Sequence, residues 1–366
     1  MLTWAIQRAD KDVEELSVKF NKLPQWIDKS WAPTLKQLED FAKSVYLPFG
    51  YLFLSEPPEE ELPIVFFKGN AETLQSPSIH LLHTIQIVKD RQEWLTTYLD
   101  EEGFEPLPFV GKYNEQSSSK EIVEDILKTL LLEEDWFRQL DSQNDMLPFL
   151  IERIEKVGII TSFSGTVDGN THRVIDRKEF RGFALVHSLA PFIFINSNDV
   201  KAAQLFTFIH ELAHIWLGVS SGTDMKKLLP ADHPIERLCD QVAADFFVPK
   251  SMFMEQWSKT KDVQKISAYF KVAPLIINRR ALDFSKISRS AYFTAYDHSI
   301  NTWLNNKQNK DSGGGNYYYT TRRRISAQFG RYINSAVKQD RLLYRDAYNL
   351  LNVRGNTYER LVKEYL

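Results

Sequence analysis

The sequence has little of what marks secreted or membrane-spanning proteins. Its 366 residues include one cysteine, Cys239, so no disulfide can form within the chain and a reducing compartment is expected. It has no run of 18 apolar residues that would span a membrane. The first residues, MLTWAIQRADKD, carry charge where a signal peptide has an apolar segment. We therefore expect a soluble, cytoplasmic protein with no membrane partner.

Neither sign of charge is in large excess. The chain has 45 basic and 48 acidic side chains and a net charge of −3, which predicts no bulk attraction to nucleic acid. Any contact with DNA must therefore be local. The composition, 43% apolar and 25% charged, is that of an ordinary globular protein. The length is sufficient for two or three domains with their own cores.

Histidine is scarce, with eight residues, yet two of them stand four positions apart in the sequence HELAH at 210–214. Apolar residues around this sequence recur at helical spacing. Asn198 or Asp199 can cap the start of the predicted helix, and Gly218 marks its end. An apolar, strand-like run at 192–195 precedes it.

A metal site is the chemistry that this spacing favours. Positions i and i+4 lie on one face of a helix, so His210 and His214 project side by side and can hold one Zn²⁺. Glu211 lies about a quarter-turn away, where its carboxylate can reach a metal-bound water without binding the metal. That is the position of the general base in a metalloprotease. The alternative is a chance HExxH, and the helical context argues against it.

A catalytic zinc usually has three protein ligands and one open position. Glu236 is the best third ligand because it begins a second predicted helix, at 235–249, about twenty residues downstream. The alternative is a helix-start carboxylate that the helix dipole favours. Asp240 lies one turn further on, where it can accept the outer N–H of a liganding histidine.

The remaining site residues are weaker candidates. His233 is an alternative ligand or an oxyanion stabiliser, and Arg237 and Tyr292 are further candidates for the second role. Cys239 is expected to be buried packing rather than a thiolate ligand.

The pattern of residues 1–56 predicts a bundle of short helices, with Asp12 and Thr34 as caps. Residues 1–55 carry seven basic and seven acidic side chains, whereas a DNA-binding unit usually shows a basic footprint. The sequence is compatible with two roles for this bundle, contact with DNA and binding of a protein.

The predicted fold class is α+β and mostly helical, with a small mixed sheet. Strands are predicted at 158–161, 182–186 and 192–196. The predicted parts are a helix-turn-helix-like bundle at 1–56, an acidic, proline-rich linker at 57–75, a peptidase domain at 76–304, a flexible joint at 305–315 and a helical module at 316–366.

The helical module at 316–366 has ten basic and four acidic side chains. Three tyrosines, at 317–319, stand just before three arginines. This composition is compatible with nucleic-acid binding and with a basic face that is simply solvated.

With these residues laid out, the chain resembles the ImmA/IrrE family of metallopeptidases, in particular members with an N-terminal XRE-type helix-turn-helix. The resemblance covers nearly the whole length. It is carried by residues 31–58, 170–218, 235–249, 313–321 and 344–353. Residues 24–32, PQWIDKSWA, depart from the family pattern, since they are contracted where the recognition helix usually lies. The resemblance therefore favours the bundle fold more than it favours DNA binding.

The resemblance implies a zincin-like, thermolysin-like peptidase with His210, His214 and Glu236 as zinc ligands and Glu211 as base. It also implies a regulatory role, because members of the family cleave or control repressors in phage, mobile-element and stress circuits, and some stand beside toxin genes.

Two hypotheses follow. The first is a zinc endopeptidase that cleaves or controls a co-encoded repressor or toxin. The second is a transcriptional regulator or antitoxin that binds protein and DNA and has a zinc site without proteolytic activity.

Overall fold

The computed structural model describes residues 1–58, 65–66, 77–223, 233–309 and 316–366. The chain divides into two compact units, one formed by Met1–Pro63 with Thr73–Ile85 and the other by Ile64–Glu72 with Gln86–Leu366. None of the described helices is long and apolar enough to cross a membrane.

Helices account for most of the described chain. The α-helices are α1 (Leu2–Arg8), α2 (Val13–Lys19), α3 (Leu23–Ile27), α4 (Leu35–Ser44), α5 (Ile79–Glu101), α6 (Ser119–Thr129), α7 (Met146–Lys156), α8 (Lys201–Leu217), α9 (Pro234–Phe247), α10 (Lys250–Lys259), α11 (Val263–Phe270), α12 (Pro274–Asp283), α13 (Arg289–Asn309), α14 (Tyr317–Ile325), α15 (Ala327–Lys338), α16 (Tyr344–Leu351) and α17 (Asn356–Glu364). The strands are β1 (Val65–Phe66), β2 (Ile160–Ser164), β3 (Gly182–Leu185), β4 (Phe192–Asn196) and β5 (Ser221–Thr223).

The N-terminal unit holds α1 to α4, and both predicted caps are confirmed. The Asp12 carboxylate accepts the Glu14 backbone N–H at 3.0 Å at the start of α2. Thr34 and Gln37 cap α4 reciprocally, each side chain accepting the other's backbone N–H. These bonds satisfy amides that a helix start otherwise leaves without partners. The identification of this bundle as a helix-turn-helix stays a prediction.

Three aromatic rings fill the centre of that unit. Phe20, Trp26 and Phe41 are buried, and their ring centroids lie 5.7 to 6.5 Å apart in tilted and edge-to-face arrangements. Such ring pairs stabilise a core beyond the area that they bury. The bundle therefore has a core of its own.

The second unit is built on a mixed sheet whose described strands have the order β1-β5-β3-β4-β2. β2 pairs with β4 in parallel, from Ile160 opposite Phe192 to Ser164 opposite Asn196, whereas β3 is antiparallel to both β4 and β5. The three predicted strands are confirmed: β4 has its predicted bounds, β3 ends one residue earlier, and β2 begins two residues later and ends three residues later. β1 and β5 were not predicted because two or three residues are too few to show periodicity.

The start of α8 corrects one prediction. The N-cap is Val200, without a capping side chain, so Asn198 and Asp199 are not the caps. Asp199 is buried and forms an ion pair with Arg181, with Oδ2 3.3 Å from Nε. Asn198 donates instead from Nδ2 to the Ile175 carbonyl at 3.0 Å. Asp199 still accepts the Val200 N–H through Oδ1 at 2.8 Å, but neither side chain caps an amide within α8.

The predicted end of α8 at Gly218 is confirmed. Gly218 has φ +71°, the left-handed conformation that favours glycine at a helix end. The segment between α5 and α6 fixes this end, since the Gly111 N–H donates to the Ile215 carbonyl at 2.9 Å. Phe109 also stacks on Trp216, with ring centroids 4.4 Å apart.

The C-terminal helices pack on β2 within the second unit. The Ser162 hydroxyl on β2 donates to the Arg324 carbonyl of α14 at 2.6 Å. Arg91 Nε on α5 donates to the Leu350 carbonyl of α16 at 2.8 Å. Side-chain bonds to backbone carbonyls thus join α14 to the sheet and α16 to α5.

The mostly helical α+β class with a small mixed sheet is confirmed, and the zincin-like comparison and the domain boundaries stay predictions. Most of the predicted linker, 59–64 and 67–75, lies outside the described residues, and so do 310–315 of the predicted joint. β1 falls within the predicted linker, and the joint's first residues belong to α13.

Candidate metal centre

His210 and His214 face each other on α8. Their Nε2 atoms are 3.2 Å apart, and both rings are buried. The whole helix from Ala202 to Leu217 is buried, so these polar groups lie among apolar side chains. Two imidazole nitrogens at this distance can share at most one proton. Such a pair is costly to bury unless something else satisfies it.

Glu236 meets both imidazoles from α9. Its Oε2 lies 3.1 Å from Nε2 of His210, and its Oε1 lies 3.1 Å from Nε2 of His214. Glu236 is buried in the first turn of α9, after His233 and Pro234, where the helix dipole favours a carboxylate. The structure therefore brings together the three side chains that the sequence singled out.

The carboxylate and the imidazoles shift one another's pKa. Burial alone would raise the pKa of Glu236, but the two histidines lower it below its ordinary value. Burial works to lower the pKa of His210, yet Glu236 and Asp240 raise it above its ordinary value. For His214, burial outweighs Glu236 and its pKa is lowered. The protonation states of the two imidazoles and of the carboxylates of Glu236 and Asp240 therefore depend on one another.

The donor atoms of this cluster fit a metal ion. A tetrahedral zinc with bonds of 2.0–2.1 Å places its ligand atoms about 3.3 Å from one another. The Nε2 atoms of His210 and His214 are 3.2 Å apart, and each lies 3.1 Å from a different oxygen of the Glu236 carboxylate. Oε1 of Glu236 and Nδ1 of His214 are buried and, among the described residues, form no hydrogen bond. A cation bound by all three side chains would explain why His210, His214 and Glu236 approach one another this closely.

Asp240 and Arg279 extend the cluster behind His210. Oδ1 of Asp240 lies 3.1 Å from Nδ1 of His210, and Oδ2 accepts a hydrogen bond from Nη2 of Arg279 at 3.1 Å. Burial works to raise the pKa of Asp240, but His210 and Arg279 lower it, so the carboxylate is ionised. An ionised carboxylate only accepts, so Nδ1 of His210 carries a proton, and Nε2 is the nitrogen that would bind a metal ion.

Sequence reasoning missed Arg279. It stands beside Arg280 in α12, and both are buried. Arg279 binds Asp240, and Arg280 binds Asp245, one turn further along α9. The available signal was two adjacent arginines within a predicted helix that begins with the apolar run Leu275–Ile277, because charges that become buried are paired.

Cys239 lies next to the cluster. It is a free, fully buried thiol, as expected, and its Sγ falls within 4.8 Å of the ligand nitrogens of His210 and His214. Burial and the nearby carboxylates raise the pKa of this thiol well above its ordinary value. A thiolate is the form that binds metal, so this environment disfavours Cys239 as a ligand relative to Glu236.

The structure places the other site candidates as follows. Glu211 is fully buried on α8. His233 is the N-cap of α9, and its Nδ1 accepts the Ile235 N–H at 3.3 Å. Arg237 is exposed, and Tyr292 on α13 is fully buried, which raises the pKa of its phenol. Their proposed roles stay predictions.

Comparison with known families bears on this centre. Residues 155–282 match the family model of the IrrE N-terminal-like domain, of the M78 peptidases. This range runs from the end of α7 to α12 and holds every residue of the cluster. The match supports the ImmA/IrrE family and a metallopeptidase-type regulatory function. Residues 325–364 match a model described only as a domain of unknown function (DUF8813). No curated protein and no solved structure matches the chain.

Proposed function

We propose that the chain is a zinc-dependent endopeptidase of regulatory type. His210, His214 and Glu236 hold the ion in this proposal, and Glu211 transfers protons. The observation that carries it is the approach of three buried side chains on two neighbouring helices, with the two Nε2 atoms 3.2 Å apart and each 3.1 Å from an oxygen of Glu236. A bound Zn²⁺ supplies a Lewis acid that polarises the scissile carbonyl and acidifies water.

Glu211 then carries out general acid–base catalysis. Its carboxylate accepts a proton from the water whose oxygen attacks the peptide carbonyl carbon. It returns this proton to the amine nitrogen as the C–N bond breaks, so that the carboxylate is regenerated. Because Glu211 neighbours His210 on the helix and is fully buried, it is shielded from bulk solvent.

Asp240 and Arg279 act as positioning residues. Asp240 holds the proton on Nδ1 of His210 and so fixes the tautomer that leaves Nε2 available. Arg279 neutralises the buried charge of Asp240 and fixes which of its oxygens faces the imidazole.

The substrate that we propose is a regulatory protein, a repressor or toxin encoded beside this chain. The N-terminal bundle is a compact unit with its own core, which suits a recognition role for partner protein or for DNA. The balanced charge of residues 1–55 favours protein over DNA.

One observation favours the alternative, a regulator or antitoxin with a structural zinc site. Cys239 Sγ lies within 4.8 Å of the imidazole nitrogens. With Glu236 it would complete four protein ligands, and a closed site of that kind is structural rather than catalytic.

The test compares the wild type with Glu211→Gln against the co-encoded protein. The variant is expected to keep its zinc content and to cleave at least about 100-fold more slowly, as loss of a general base predicts. Glu124→Gln is the control, because this glutamate is exposed on α6. The proposal fails if fully zinc-loaded wild type cleaves no co-encoded regulator and Glu211→Gln behaves like wild type in cells.

A further inference from the structure

A second cavity lies in the same unit, between α7, β2, α14 and α15. Its volume is about 540 Å³, within the range of small-molecule sites. Its lining residues include none of the residues of the metal centre. Pro148, Ile151 and Ala327 give it an apolar wall.

Four basic side chains line this cavity, Lys156, Arg322, Arg323 and Arg331, and two of them have a hydrogen-bonded partner that fixes the charged group. Lys156 forms an ion pair with Glu152 at 2.6 Å, and Arg331 donates to the Leu366 carbonyl at 2.8 Å. Within the described chain, Arg322 and Arg323 form no ion pair with a carboxylate. Two guanidinium groups adjacent in sequence, both on α14, thus line a concave surface without a direct carboxylate partner, although Glu152 and Glu155 line the same cavity and Arg322 lowers the pKa of each.

Arg323 is held in place by an aromatic ring. Its guanidinium carbon lies 5.2 Å from the centre of the Phe163 ring on β2. Much of the Arg323 side chain is exposed, and partial burial lowers the pKa of its guanidinium below the ordinary value. An anionic ligand would give this guanidinium the charged partner that it lacks among the described residues.

The carboxylate of Glu155 lines the same cavity but is fully engaged inward. Its Oε1 accepts the hydroxyls of Thr161 and Ser326, each at 2.7 Å, and its Oε2 accepts the Gln328 N–H at 3.3 Å. The first amides of α15 therefore already have acceptors in Glu155 and Ser326. An anion in the cavity would bind the guanidinium groups and not the helix terminus.

We propose that this cavity binds a small phosphate-bearing molecule of mononucleotide size. Guanidinium groups bind phosphate oxygens in pairs, with geometry that a single ammonium cannot match. Tyr319 lines the cavity and is largely exposed, so its ring is accessible to a planar base. The apolar wall suits the uncharged part of such a ligand.

A free small molecule fits this surface better than a nucleic-acid strand does. The basic groups converge on one cavity from α7, α14 and α15, whereas a strand-binding surface extends as a groove along the backbone. A free nucleotide and a nucleic-acid strand both carry phosphate. The experiment therefore compares the binding of free nucleotides with the binding of a single strand.

The experiment is calorimetric titration of the full chain with AMP, GMP, CMP, UMP and pyrophosphate, and with a 12-nucleotide single strand. At least one small probe is expected to bind, and the same nucleoside without phosphate to bind at least tenfold more weakly. Binding of the oligonucleotide alone would overturn the small-molecule assignment, and no binding of any small probe would overturn the site.

Variants locate the site. Arg322→Ala with Arg323→Ala is expected to weaken binding at least tenfold. Arg322→Glu is the second variant, because this exposed side chain has no carboxylate partner among the described residues and its loss leaves the Phe163 contact intact. Arg345→Ala is the matched control, since Arg345 on α16 is exposed and pairs only with its neighbour Asp346. Unchanged affinity in Arg322→Glu, or an equal loss in Arg345→Ala, would contradict the proposal.

Discussion

Asp240 stands between an imidazole and a guanidinium, with Nδ1 of His210 and Nη2 of Arg279 each 3.1 Å from one of its two oxygens. The three groups come from α8, α9 and α12, so the orientation of His210 depends on a helix that supplies no ligand. Arg279 also binds Asp283 within α12, with Nε 3.0 Å from Oδ1. The guanidinium is thereby fixed before it meets Asp240.

We predict that Asp240→Asn lowers zinc affinity. Asparagine keeps the shape but not the charge that holds the proton on Nδ1 of His210. Loss of such a partner typically costs 10–100-fold in metal affinity. Competition with a chromophoric chelator measures this affinity directly.

The matched control is Asp245→Asn. Asp245 lies on the same helix and pairs with Arg280 in the same way, but it does not contact His210. It should lose stability and keep wild-type zinc affinity. Equal zinc affinities in the two variants would remove the positioning role of Asp240.

Gly218 ends α8 where two backbones meet, and we predict that Gly218→Ala is strongly destabilising. A Cβ at Gly218 would lie 2.9 Å from the Gly111 Cα and would force φ +71° on an alanine. The left-handed conformation costs roughly 1–2 kcal/mol, and overpacking adds a similar amount, so the loss should be about 3 kcal/mol. Urea denaturation measures it.

Gly103→Ala separates the cost of the left-handed conformation from the cost of overpacking. Gly103 has φ +75°, but a Cβ there meets no described atom within 4 Å. We expect its loss to stay near 1 kcal/mol, the conformational part alone. If both variants lose the same stability, the contact between Gly111 and Gly218 contributes nothing.

The buried carboxylate of Glu155 predicts a pH dependence of stability. Burial raises its pKa above the ordinary value, despite the hydrogen bonds from Thr161 and Ser326. The folded state thus binds the proton more tightly than the unfolded state does. The unfolding free energy should therefore fall as pH rises, from about 4.3, the usual pKa of glutamate, up through the folded pKa. Glu155→Gln should remove this slope in denaturation curves taken across that range.

Glu152→Gln is the control for the direction in which the unfolding free energy changes with pH. The hydrogen bond from Lys156 lowers the pKa of Glu152, so its stabilisation is present above the ordinary pKa and is lost as pH falls. Because Glu152 is exposed, the effect should be small. If Glu155→Gln leaves the slope unchanged, the charge at Glu155 is not coupled to folding.

The sequence was sufficient to predict those features that depend only on residues close together in the chain. Helix spacing predicted that His210 and His214 share a face, and the caps at Asp12 and Thr34 needed only their neighbours. The convergence of Glu236 on both imidazoles also followed, because the resemblance and the helix start pointed to the same residue.

What the sequence did not predict depends on tertiary contacts. Nothing local distinguishes Asp199 as the partner of Arg181 from Asp199 as a helix cap, and the tertiary pair prevailed. Arg279 and Asp240 are 39 positions apart, and only the packing of α12 beside α9 brings them together. β1 and β5 form because they pair in parallel, with Val65 opposite Ser221, and neither has a pattern of its own.

X-ray absorption at the zinc edge of the zinc-loaded protein tests the central claim most directly, that His210, His214 and Glu236 hold the ion and leave one position open. We predict nitrogen and oxygen neighbours alone, at about 2.0–2.1 Å, with the multiple-scattering signature of two imidazoles. A sulfur neighbour at about 2.3 Å would place Cys239 on the metal and contradict the account.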